Sequence, residues 1–255
     1  MRLVSLGDSF TEGVGDERPD GSVRGWADRV AQGIADASGE PLSYANFAIR
    51  GLLLEEIVRT QVPKALALDP APTLVTFNGG GNDMLRPRMS SERLLELTAE
   101  AFAAFASAGI PVVALAGPDP TRRLPLGRIA RTRGDELTQR LVPLAAEHGF
   151  TFVNTFHDTE VQQPHYWSKD RLHMGPAGHR RVASLVMNAL GYPAEPFIEP
   201  AGEPPVTTLR EQIDYGRRYV LPWVGRRLRG TSSSRGRSGK HATWVEVTPS
   251  TEPRP

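Results

Sequence analysis

Four short segments of the chain carry residue types that could do chemistry together. The first is Gly7-Asp8-Ser9-Phe10, which follows the apolar run Leu3-Val4-Ser5-Leu6. The second is Asn46-Phe47-Ala48-Ile49-Arg50-Gly51, after the run Leu42 to Ala45. The third is Gly79-Gly80-Gly81-Asn82-Asp83, after Thr73-Leu74-Val75-Thr76-Phe77, and the fourth is Asp170-Arg171-Leu172-His173. Between them they offer a hydroxyl, a loop glycine, a side-chain amide and a base with a carboxylate neighbour. A serine hydroxyl is a weak nucleophile until a base accepts its proton, and that base works best when a carboxylate orients it. N–H donors aimed at a developing oxyanion complete the parts list for acyl transfer.

Each segment also has a plainer reading. Ser9 could cap a helix after a tight turn, Asn82 could cap the turn that follows the glycines, and Gly51 could serve only the backbone. His173 could be a loop histidine without a partner, and a lone Asp-x-x-His is common. Asp8 reads as a residue that orients the turn, and Asp83 as a structural hydrogen-bonding group. Tyr166 and Trp167, just before Asp170, either wall a substrate pocket or pack the loop. His179 reads as a stabiliser of the turn that starts the last helix. His157 and His165 lack the ligand spacing of a metal site, since the chain has no His-Glu-x-x-His and no cysteine. The triple glycine lacks the Lys-Ser/Thr that a phosphate loop needs. Neither a metal nor a cofactor is expected.

The four segments, in this order, resemble the SGNH hydrolases of the GDSL esterase/lipase superfamily. The resemblance spans roughly residues 1–193, with Phe10 standing where the family signature has leucine. It implies Ser9 as nucleophile, His173 as base and Asp170 as the acid of a triad. It implies an oxyanion hole made by Ser9 N–H, Gly51 N–H and the Asn82 amide. It further implies a small-molecule carboxylic ester as substrate. A lysophospholipase, an acyl thioesterase, or a silent carbohydrate- or lipid-binding module of the same fold are the alternatives.

The elements that would position these residues alternate along the chain. Strands are expected at Arg2–Leu6, Ser43–Ala48, Leu74–Phe77, Val112–Ala116 and Thr151–Asn154. Helices are expected at Gly25–Ser38, Leu53–Thr60, Ser91–Ala108, Ile129–His148 and Ala177–Leu190. Leu94, Leu97, Ala101, Phe102 and Phe105 mark a core-facing stripe at helical spacing. Ser90 or Ser91 before Glu92 suits the start of that helix, and Gly109 its stop. Pro143 should kink or break the fourth helix. Strand–helix alternation implies a parallel sheet covered on both faces, an α/β fold. The family resemblance supplies the rest: three α/β/α layers, flavodoxin-like, with five parallel strands in the order 2-1-3-4-5.

The 255 residues, 39% hydrophobic and 23% charged, suit one main domain with a sizeable core, here 1–193. A formal net charge of +1 offers no general attraction for nucleic acid. The absence of cysteine excludes disulfides and fits a reducing compartment. With the first strand starting at Arg2 and no bilayer-length apolar run, the expected location is cytoplasmic.

Residues 194–255 differ in composition and read as a Pro-rich linker, a basic amphipathic helix and a disordered tail. From Arg210 to Lys240 basic residues far outnumber the acids Glu211 and Asp214. Leu209, Ile213, Val220, Val224 and Leu228 approximate one helical face, interrupted by Pro222. That helix could dock its apolar face on the main domain, or make a weak contact with an anionic membrane aided by Trp223. The segment Thr231–Gly239 has the composition of a disordered stretch.

Overall fold

The computed structural model describes residues 1–86, 90–121, 127–192 and 236–250, with the isolated positions 194, 198 and 217. Its centre is a six-stranded sheet. The strands are β1 (Arg2–Leu6), β2 (Leu42–Asn46), β3 (Leu74–Phe77), β4 (Val112–Ala116), β5 (Thr151–Asn154) and β6 (His241–Val247). They lie in the order β5-β4-β3-β1-β2-β6. The first five are parallel, with Leu3 opposite both Tyr44 and Leu74, and Val113 opposite Thr151. β6 pairs antiparallel with β2.

Because successive side chains of a strand point to opposite faces, each strand feeds two cores. Val4, Leu6, Val75, Phe77, Val112 and Ala114 face one of them. Leu3, Leu74, Val113 and Leu115 face the other. This explains why the strands read as continuous apolar runs rather than alternating ones.

The helices are α1 (Ser9–Glu12), α2 (Gly25–Ser38), α3 (Leu54–Glu56), α4 (Val62–Leu66), α5 (Gly81–Met84), α6 (Ser91–Ser107), α7 (Gly127–Glu147) and α8 (Pro176–Ala189). A π turn, Ile57–Gln61, joins α3 to α4. α3, α4, α6 and α7 cover the first face, and α2 and α8 the second. The Ser90 hydroxyl caps α6 by accepting from Arg93 N–H at 3.2 Å. Among the described residues no helix is long and apolar enough to cross a membrane.

Three expectations need correction. The sheet has six strands, not five, and the sixth comes from the segment expected to be a disordered tail. Residues 236–250 are held there by pairing with the edge of β2, by Trp244 Nε1–H donating to Pro70 O (3.1 Å), and by Ser250 bonding Asp36. Of the kink or break expected at Pro143, the break does not occur: α7 runs on to Glu147. Leu137, Leu141 and Ala145, on both sides of the proline, are buried in one core, and that packing carries the helix past its missing N–H. Finally, β2 ends at Asn46, two residues earlier than expected. Apart from position 217, the basic amphipathic helix expected over 209–228 lies outside the described residues, as does most of the linker over 194–205.

Candidate active site

The carboxyl ends of β1, β2 and β3 deliver the first three segments to one edge of the sheet, where open α/β folds place their ligands. β1 runs into Gly7, whose N–H and carbonyl are both held by the buried Gln61 amide at 2.8 Å. Ser9 then opens α1. The Asp8 carboxylate accepts Phe10 N–H (3.1 Å) and closes the turn.

His173 approaches from the loop before α8. Its Nε2 lies 3.1 Å from Ser9 Oγ, and its Nδ1 lies 2.6 Å from Asp170 Oδ2. The other oxygen, Asp170 Oδ1, accepts the Ser168 hydroxyl (2.6 Å) and the backbone N–H groups of Leu172 (2.9 Å) and His173 (3.0 Å). Arg171 sits between them in the left-handed region at φ +58°, a strained conformation for a residue with a side chain. Burial alone would raise the Asp170 carboxyl. Its hydrogen bond to His173, the charge of that ring, the His173 N–H and the Ser168 hydroxyl reverse this and hold it well below the usual carboxylate range. Asp170 therefore stays ionised and fixes the tautomer with the proton on Nδ1, which turns the Nε2 lone pair to Ser9.

Asn82, on α5, donates its amide to Asp8 Oδ2 (3.2 Å) and to Leu52 O (3.0 Å). Gly51 lies in the left-handed region at φ +84°. It is flanked by that Leu52 carbonyl and by Arg50, which Glu12 of α1 clamps. Glu12 accepts Arg50 N–H (2.6 Å), Nε (2.9 Å) and Nη2 (2.6 Å). Thus Ser9, Gly51, Asn82, His173 and Asp170 converge, and side chains tie their segments to one another.

Asp8 is the least comfortable group in the cluster. Burial pushes its carboxyl up to about 6. Asp83 and Glu12 add to the rise, while Phe10 N–H and His173 oppose it. Asp83 is buried against the α3 start, accepting Leu54 N–H at 2.9 Å, and burial raises it too.

The remaining sequence candidates take structural places. Tyr166 and Trp167 pack the loop, their polar atoms bonded to Glu160 (2.8 Å) and Val161 O (2.8 Å). His179 accepts Trp26 N–H on Nδ1 (3.1 Å) and donates from Nε2 to Val14 O (3.2 Å). Its ring stacks on Phe10, beside Ser9. His157 bonds Asp135 at the surface.

An apolar cleft opens beside Ser9 and His173. Met84, Leu85, Leu115, Leu137, Leu141 and Phe156 line it. Sequence reading missed this cleft and the Glu12–Arg50 clamp. The i, i+4 spacing of Leu137 and Leu141 is a signal of a buried helix face, but nothing in the sequence marks its nearness to Ser9.

A family model described as GDSL-like Lipase/Acylhydrolase matches residues 5–181. The uncharacterized protein YpmR of Bacillus subtilis (strain 168) is 34% identical over 105 residues, 39% of this chain and 38% of that protein. The chain thus spans well under half of that relative. Among solved structures, TesA aligns with a TM-score of 0.62 at 23% identity, over 74% of this chain and 98% of its own. The lipase/acylhydrolase from Enterococcus faecalis gives 0.60 at 21%, over 74% and 94%. A catalytic mutant of Axe2, an acetylxylan esterase from Geobacillus stearothermophilus, gives 0.59 at 15%, over 78% and 97%. At these identities the structural likeness establishes the shared fold.

Proposed function

The chain belongs to the GDSL-like lipase/acylhydrolase family, and on that premise we propose that it hydrolyses carboxylic esters with an apolar acyl chain through an acyl-enzyme on Ser9. His173 Nε2 takes the Ser9 proton as Oγ attacks the acyl carbon. Ser9 N–H, Gly51 N–H and the Asn82 amide hold the oxyanion. The Asn82 hydrogen now directed at Asp8 Oδ2, the longer of its two bonds, is the one that turns to substrate. His173 then protonates the leaving alcohol and later activates the water that releases the acid. Asp170, ionised throughout, steadies the imidazolium.

The observation that carries this reading is the Ser9–His173–Asp170 series at 3.1 and 2.6 Å beside an apolar cleft. Met84, Leu137, Leu141 and Phe156 suit methylenes rather than sugar hydroxyls, which would lose their water without gaining partners. Lysophospholipase and thioesterase readings share this acyl group and differ in the leaving group.

A series of p-nitrophenyl esters from acetate to laurate tests it. Each methylene that enters the cleft adds about 0.8 kcal/mol, or roughly fourfold in kcat/KM, until the cleft is full. Leu141→Trp should move the optimum to shorter chains. A preference for acetate over every longer ester would refute the acyl assignment.

A further inference from the structure

The family match ends at residue 181, yet a segment beyond it reaches back to the site. Lys240 opens β6. Its ammonium, largely buried, donates to Asp28 Oδ2 (2.9 Å) and to Arg24 O (2.7 Å). The other oxygen of Asp28 accepts the Tyr44 hydroxyl at 2.9 Å. Burial, with Asp28 next, raises the Tyr44 hydroxyl well above its ordinary range, so it remains a donor. Its oxygen in turn accepts Asn46 Nδ2 at 3.0 Å.

Asn46 is fully buried and joins two parts of the site. The same Nδ2 donates to Thr11 O (3.2 Å) on the short helix that Ser9 opens. Its Oδ1 accepts Ala48 N–H (3.0 Å) at the head of the loop that carries Gly51. His241, the residue after Lys240, pairs directly across from Asn46. The approach is close: a Cβ added to Gly239 would stand 2.8 Å from Asn46 O and from Phe47 Cα.

From this unbroken series we infer that Lys240 is a positioning residue, acting through Asp28, Tyr44 and Asn46 to hold the Ser9 helix and the Gly51 loop in register. The inference rests on the proposed role of Ser9 and Gly51. It makes the C-terminal strand part of the working enzyme, although no residue of that strand touches the reacting atoms.

Two full-length variants test it: Lys240→Met, which keeps the aliphatic stem, and Tyr44→Phe, which leaves the Lys240–Asp28 ion pair in place and removes the hydroxyl that joins Asp28 to Asn46. Each should lower kcat by between about 10- and 100-fold, the scale of a small misplacement of reacting groups. KM should stay within about twofold, because substrate binding in the cleft is untouched. A merely structural contact would lower the melting temperature and leave kcat at 25 °C unchanged. Amide hydrogen exchange supplies a readout independent of turnover. It should quicken over residues 8–14 and 46–52 and remain parental over 112–116. Should Lys240→Met fail to fold, Tyr44→Phe decides alone. Parental kcat and parental exchange in either folded variant would overturn the inference. If the parent protein hydrolysed no ester, the proposed function would fall, and the exchange measurement would still decide whether Lys240 holds these two segments.

Discussion

Replacing Asp8 by Asn should make the protein more stable at neutral pH and less active. The buried Asp8 carboxyl, pushed from 3.8 to about 6, keeps its proton longer in the folded state than in the unfolded chain. Between those pH values the folded state binds more protons, so stability falls as pH rises through the window. At about 1.36 kcal/mol per pKa unit, ionised Asp8 costs the fold about 3 kcal/mol above pH 6. Asn has the same shape and cannot ionise. Against this stands one mismatched contact, since Asn82 now faces another amide in place of a carboxylate, a loss of about 1 kcal/mol at every pH. Relative to the parent, Asp8→Asn should therefore be about 0.5 kcal/mol less stable at pH 4, where the unfolded carboxyl is already half ionised, and about 2 kcal/mol more stable at pH 7. Urea unfolding at pH 4, 5, 6 and 7, extrapolated linearly to water, measures this difference. Taking the difference between variant and parent cancels every other titrating group. A difference that did not change with pH would refute the reasoning. The activity loss follows from the same contact, because two facing amide N–H groups push the Asn82 side chain away from the position it needs at the oxyanion.

His179→Gln should show the opposite pH trend in the same unfolding series. Burial depresses the ring from 6.5 to about 4, so the parent loses about 3 kcal/mol of stability as pH falls through that window, whereas Gln, bonded to Trp26 N–H, does not titrate. A variant that kept the parental pH dependence would place the titration elsewhere. Asn82→Ala should lower kcat by about 10²–10³ with little change in KM, as expected for a donor used only in the transition state. Steady-state kinetics that showed the loss in KM instead would assign Asn82 to substrate binding.

The parallel strands were legible because each is buried on both faces and reads as an unbroken apolar run, as in Leu74–Phe77. β6 was not. It lies on the edge of the sheet, His241–Val247 alternates only weakly, and the serine- and arginine-rich stretch before it dominated the composition. Its partner, β2, is some two hundred residues away in sequence, and pairing over that distance leaves no local trace. Ser9, Asn82, His173 and Asp170 stood out because each chemical group followed a strand or preceded a helix in a recognisable setting. Glu12–Arg50 and Lys240–Asp28 did not. An ion pair between distant segments has no period and no motif, so the contacts that hold the site in register emerge only when the strands are assembled. That the helix continues past Pro143 was illegible for a related reason: the local loss of one hydrogen bond was visible, and the packing of Leu137, Leu141 and Ala145 that outweighs it was not.

The proposed mechanism requires that Ser9 become acylated during turnover. Rapid quenching of the protein with p-nitrophenyl octanoate at acid pH, followed by digestion and mass spectrometry, tests it directly. An octanoyl group is expected on the peptide containing Ser9, accumulating with the burst of p-nitrophenol and absent from a folded Ser9→Ala variant that has lost turnover. An acyl group on another residue, or undiminished turnover in Ser9→Ala, would contradict it.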